Sequence, residues 1–179
     1  SELQVFVELL KQIKPPIVNW LIFHKEEMTT SEKWIILARK YLKDYDHNSN
    51  VGSGTNVFFA DLNRSIPPIK VMDFISYSIN PQVHAFDNLS LVETLSAQAE
   101  TVKSARNFSN NKPISVSPIT LKMRFNPNAT APEANVESDQ LPSQVDVRQM
   151  SLFGAAWTLG SLKYLSESET SSLTYYETT

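Results

Sequence analysis

Helical and strand-like hydrophobic periods alternate along most of this chain, and that alternation restricts the fold more than any other feature. Residues 2–14 carry Val5, Leu9 and Ile13 at spacing four, with Phe6 and Leu10 beside them. This predicts a helix stopped by Pro15 and Pro16. Residues 17–23 are almost continuously apolar, as a strand buried on both faces requires, and they open into His24, Lys25, Glu26 and Glu27. The two glutamates read as solvated loop charges. Thr29 and Glu32 have capping-box spacing, and Trp34, Leu37, Ala38, Tyr41 and Tyr45 mark the buried stripe of the helix that follows. Residues 44–55 are polar and contain Gly52 and Gly54, which reads as a connecting turn. Residues 56–63 then alternate as a strand, with Asp61 and Asn63 at its exit.

The stretch SYSINPQVHAFD, residues 76–87, has the strongest two-residue period. Ile75, Tyr77, Ile79 and Val83 fall on one side, and Ser76, Ser78, Asn80, Gln82 and His84 on the other. Pro81 ends regular pairing near Asn80, which places residues 82–87 in the loop beyond the strand. Ser90 and Glu93 have the spacing of a second capping box, opening a helix to about Phe108. Residues 114–125 alternate again and bring Lys122 and Arg124 to one side, a basic pair that calls for an anion or carboxylate nearby. Residues 126–142 form a loop too long for a plain connector. Ser143 and Asp146 open a last helix with Val147, Met150, Phe153, Trp157 and Leu165 as apolar positions. Residues 173–177 form a final strand that delivers Glu177 to its exit.

Repeated alternation of this kind predicts an α/β fold with a parallel sheet and covering helices. The pattern holds about five of the eight strands of a (β/α)8 TIM barrel, a fold that typically needs about 250 residues. The reading is therefore a partial barrel over residues 1–179, a fragment of a larger protein, with loop 126–142 on its top face. Polar groups gathered at strand exits are how such barrels build sites.

With 41% hydrophobic and 20% charged residues, the composition is that of a globular chain. A net charge of −3 argues against a nucleic-acid surface or an anionic membrane as partner. Neither a membrane-length apolar run nor a signal-peptide core is present, which sets a cytoplasmic location as the expectation. The absence of cysteine removes disulfides, thiolate nucleophiles and zinc-thiolate sites together.

The runs SINPQVHAFDNLSLVETLSAQAETVKSAR, SPITLKMRFNPNAT, LPSQVDVRQMSLFGAAWTLGSLKYL and TYYETT resemble the barrel part of the D-apionate lactonase family of bacterial sugar-acid catabolism. The resemblance is best over residues 76–179 and looser before. It implies a hydrolase that opens an apionolactone ring, with a small sugar acid or sugar lactone as partner and no cofactor. The chain also resembles the barrels of retaining glycosidases. If TYYET matches the strand that carries their nucleophile, Glu177 takes that role. The strand that should end in an Asn-Glu acid/base pair instead offers Asp61 and Asn63, which departs from that pattern.

Lactone opening needs an activated water, a group that polarises the carbonyl and a donor to the leaving alkoxide. His84 suits proton transfer, with Glu177 or Asp61 to orient it or to serve as base. Lys122 and Arg124 suit an oxyanion or the product carboxylate, and Asn80, Gln82 and Asn63 suit sugar hydroxyls. A metal held by His84, Asp61 and Glu177 has no spacing motif behind it, and none is expected. Two other readings stand beside the lactonase: a glycosidase-like hydrolase with Glu177 as nucleophile, and a non-catalytic sugar-binding or structural fragment. A barrel cut after a strand exposes pairing edges. The isolated chain is thus expected to self-associate or to join the rest of its own polypeptide, and to show no robust catalysis alone.

Overall fold

The structure, a computed structural model, describes residues 1–129 and 141–175. Five strands form one sheet in sequential order: β1 (Asn19–Ile22), β2 (Asn50–Phe58), β3 (Ile75–Ile79), β4 (Ile114–Ile119) and β5 (Ser172–Tyr175). They run parallel, as the (β/α)8 class requires, and helices occupy the crossovers. The helices are α1 (Glu2–Ile13), α2 (Glu32–Tyr45), α3 (Phe59–Arg64), α4 (Asn88–Glu93), α5 (Ala97–Ser109) and α6 (Leu152–Glu167), with 3-10 turns at Ile69–Val71 and Val147–Met150. The chain divides into two compact units, Ser1–Tyr77 with Ala105–Ser115, and Ser78–Ser104 with Val116–Thr179.

In the first unit, Trp20 pairs in register with Val51, and Ile22 with Ser53. Residues at one register of a parallel pair share a face, so these four look the same way. Trp20 and Ile22 pack there against a core of Leu10, Ala38 and Leu42 from α1 and α2. Leu21 looks the other way and is 37% exposed, so β1 is not the strand buried on both faces that its composition suggests. The helix stripes also differ from expectation. α1 buries Val7 and Leu10 and leaves Val5, Leu9 and Ile13 in solvent; α2 buries Ile35, Ala38 and Leu42 and leaves Leu37 out. Both helices are apolar on more than one face, and only packing selects the face that is covered.

The largest correction concerns β2. The strand begins at Asn50 and ends at Phe58, so Gly52 and Gly54 are strand residues, not turn residues, and Asp61 and Asn63 lie on α3. The glycines mark close approach rather than chain reversal. A Cβ on Gly52 would overlap the Phe74 ring, and one on Gly54, whose φ is 152°, would overlap the Ser76 carbonyl oxygen. Beside them Asp73 anchors the entry to β3. Its carboxylate accepts from the Val51 N–H at 2.8 Å and from Arg39 Nη1 at 2.9 Å, while Arg39 Nη2 donates to the Val71 carbonyl at 2.9 Å.

In the second unit, α4 is capped by Asp87, which accepts from the Ser90 N–H at 2.9 Å. Ser90 therefore lies inside the helix that its spacing with Glu93 seemed to start. The continuous helix foreseen there is two segments, α4 and α5. β4 ends at Ile119, six residues before the alternating pattern does, and Thr120 Oγ1 closes a local turn by donating to the Lys122 carbonyl at 2.7 Å. α6 starts at Leu152 behind an Ser151 cap and buries Gly154, Trp157, Ser161 and Leu165. Trp157 Nε1 donates to the Leu91 carbonyl at 3.3 Å, and Ser161 Oγ donates to Gln98 Oε1 at 2.6 Å. Val147 and Met150, foreseen as buried, are 69% and 88% exposed on the preceding 3-10 turn.

Gly54→Ala tests the close approach of β2 and β3. The expected outcome is a loss of about 3 kcal/mol or more, because the strained φ and the overlap with backbone act together. Urea unfolding reads it, and an unchanged midpoint contradicts the packing described.

Candidate functional site

In the first unit, the exit of β1 carries a cluster that sequence reasoning passed over. His24 stacks on Trp34 with ring centroids 4.5 Å apart and planes 12° apart, and its Nδ1 accepts the Glu26 N–H at 3.3 Å. Glu27 is no solvated loop charge. It is half-buried and accepts from the Ser31 N–H at 2.7 Å, from Ser31 Oγ at 3.2 Å and from Trp34 Nε1 at 2.8 Å. The Ser31 N–H in particular holds its pKa below the ordinary glutamate range. These bonds also replace the foreseen Thr29–Glu32 capping box, for Ser31 is the N-cap and its own side chain makes no cap bond. Past β2, Asp61 is half-buried on α3 and pairs with Arg64 Nη1 at 3.5 Å, while Asn63 is exposed. The surface cleft near Lys14, Pro16, Ile17 and Tyr45 lies before β1, at the opposite end of that strand from His24. The barrel rule assigns that end to stability.

In the second unit, the loop beyond β3 holds Asn80, Gln82 and His84. Asn80 is half-buried, and its Oδ1 is buried without a hydrogen-bond partner. Gln82 is 2% exposed. Its Nε2 donates to the Leu121 carbonyl and to Asp146 Oδ2, both at 2.6 Å, and its Oε1 accepts from Arg148 Nη2 at 2.9 Å. Both donors are committed inside the protein, so Gln82 has none left for a sugar hydroxyl. It acts as part of the wall. His84 is exposed on the same loop. Beyond β4, Lys122 and Arg124 are both half-buried, and the Arg124 guanidinium lies 5.3 Å from the Phe125 ring centre. Glu177 and most of loop 126–142 lie outside the described residues.

Asp146 and Arg148 form a close ion pair that the sequence pattern does not single out: Asp146 reads as a helix opener, and Arg148 carries no assigned role. The visible signal was their spacing of two next to a turn, which lets one side chain fold back on the other. Asp146 accepts from Arg148 Nη2 at 2.7 Å, from Arg148 Nε at 2.9 Å and from the Arg148 N–H at 2.9 Å. The Arg148 guanidinium, against the opposing effect of burial, holds the Asp146 carboxyl far below the usual carboxylate range. Arg148 rises correspondingly in pKa, chiefly through the same bond.

The second unit thus presents an exposed imidazole, a half-buried amide and two half-buried cations on the chain just past β3 and β4. Among the described residues, no group of three or more His, Cys, Asp or Glu side chains is arranged to hold a metal ion. No helix among them is long and apolar enough to cross a membrane.

A folded pKa depressed below the unfolded value stabilises the protein above the unfolded pKa, and that stability is lost as pH falls toward the folded pKa. Asp146 therefore contributes in full above about pH 4 and progressively less below. Asp146→Asn is expected to cost about 3 kcal/mol at pH 7, with the gap to the parent narrowing below pH 4. Urea unfolding at neutral and acid pH checks this, and a gap that widens in acid contradicts it.

Three comparisons place the chain among known proteins. Residues 28–179 match the family model described as D-apionate lactonase, TIM barrel domain. The D-apionate lactonase of Brucella anthropi is 39% identical over 80 residues, which are 45% of this chain and 13% of that protein. The β-D-glucuronidase of Dictyoglomus thermophilum superposes over 98% of this chain and 28% of its own, with a TM-score of 0.57 and 12% identity. A GH2 β-galacturonidase from Eisenbergiella tayi gives 0.54 and 15% over 91% of this chain and 26% of its own. The chain thus spans about a quarter of the length of these structures, and at such identities the likeness shows the fold alone.

Proposed function

The chain belongs to the D-apionate lactonase TIM-barrel family, and on that premise we propose that it is part of a hydrolase that opens a sugar lactone of the D-apionolactone type. The observation that carries the reading is the family match over residues 28–179, reinforced by the 39% identity to a D-apionate lactonase. Polar side chains at strand exits support it, because the barrel fold builds its chemistry there.

In this reading water attacks the lactone carbonyl carbon while His84 takes a proton from it. The carbonyl oxygen becomes an oxyanion, and Lys122 and Arg124 stabilise the charge. Collapse of the tetrahedral centre breaks the ring C–O bond. His84 returns the proton to the departing alkoxide, and the product is an open hydroxy acid. Glu177 shares the work of the base in this reading. Asn80 reads a hydroxyl group on the sugar, and the Arg124 fork suits the carboxylate of the product.

The test is loss of lactone and release of acid by the complete gene product that contains this chain, assayed on a panel of sugar lactones. His84→Asn is expected to lower kcat by about 100-fold with the fold intact by circular dichroism. Parent protein that leaves every sugar lactone untouched removes the reading. Turnover of glycosides in place of lactones, abolished by Glu177→Gln, replaces it with the glycosidase reading.

A further inference from the structure

We propose that Arg148 is a positioning residue that holds the His84 loop in its working place, an inference that rests on the lactonase reading for its catalytic part. The guanidinium commits all five of its N–H donors inside the protein. Nε and one Nη2 donor go to Asp146, at 2.9 and 2.7 Å. The other Nη2 donor goes to Gln82 Oε1 at 2.9 Å, and the two Nη1 donors go to the Phe86 carbonyl at 2.9 Å and to Asn88 Oδ1 at 2.8 Å.

Three of these acceptors, at positions 82, 86 and 88, bracket His84 on both sides along the chain. His84 itself is exposed. The loop is therefore held by its flanks, and the imidazole is left facing outward on a fixed base. Gln82 extends the hold to the segment just past β4 through its 2.6 Å bond to the Leu121 carbonyl, one residue before Lys122. One guanidinium thus registers the loop after β3 against the exit of β4, where the proposed base and the proposed oxyanion group begin. A planar fork with five fixed donor directions is suited to this; an ammonium with three rotating donors is not. Asp146 keeps the fork oriented, and its depressed pKa extends its ionised range further into acid.

The experiment is a double-mutant cycle on the complete gene product, with Arg148→Lys and His84→Asn assayed singly and together on a sugar lactone. Arg148→Lys alone is expected to lower kcat by about 100-fold while KM changes by less than about threefold. In the His84→Asn background the same change is expected to cost less than about threefold, because the imidazole it positions is gone. Equal costs in both backgrounds overturn the proposal. Asn88→Ala removes one acceptor, keeps the Asp146 pair, and is expected to show the same pattern at lower amplitude, which covers the case of an unstable lysine variant.

A second readout does not depend on activity. Nitrogen-15 relaxation on the complete gene product is expected to show order parameters for residues 83–87 falling from about 0.85 to below about 0.6 in Arg148→Lys, with α5 unchanged. Unchanged order overturns the clamp even if lactones are hydrolysed. A loosened loop in a protein that hydrolyses no lactone supports the clamp and removes the lactonase reading instead.

Discussion

Parallel pairing of sequential strands is the constraint on which the rest of this structure depends. A parallel pair cannot be joined by a tight hairpin, so each connection in the order β1 to β5 must cross back over the sheet. The crossovers put helices on the strands and gather the loops that follow each strand at one end. Apolar side chains of α1 and α2 then cover β1 and β2, and polar loops after the strands are left to carry chemistry.

Within that frame, two arginines hold opposite ends of strands in their respective units. Arg39 and Asp73 tie α2 to the entry of β3 in the first unit. Arg148 and Asp146 tie the loop beyond β3 to the segment before α6 in the second. In both pairs the carboxylate also takes a backbone N–H, from Val51 and from Arg148 respectively. Such charge-assisted bonds are short and directional, and they fix a segment at a point where sheet hydrogen bonding has stopped or has not begun.

Much of the fold was legible because the hydrophobic period changes from helical to two-residue wherever an element changes. The number of strands, the class and the long polar strand exits all follow from that. The boundaries that failed share a cause. Gly52 and Gly54 carry no side chain, so they read as a turn, yet they are required where the Phe74 ring and the Ser76 backbone press on β2. The alternation past Ile119 read as strand, but β3 ends at Ile79 and the Thr120 hydroxyl turns to the Lys122 carbonyl. The surroundings of the candidate residues were legible only in part. His84, Lys122 and Arg124 stand out by type and position, whereas Gln82 looked like a substrate reader and is a buried structural link.

The amino-acid order by itself determined the alternation of elements, the parallel class and the family, because period and motif are properties of neighbours along the chain. Only the tertiary structure decided which of several apolar helix faces is covered. It also decided that Asp61 lies on a helix beyond its strand, and that Arg148 reaches Gln82, Phe86 and Asn88, 60 to 66 residues away. Hydrogen bonds of that span depend on where the backbone folds back, and no local pattern encodes that distance.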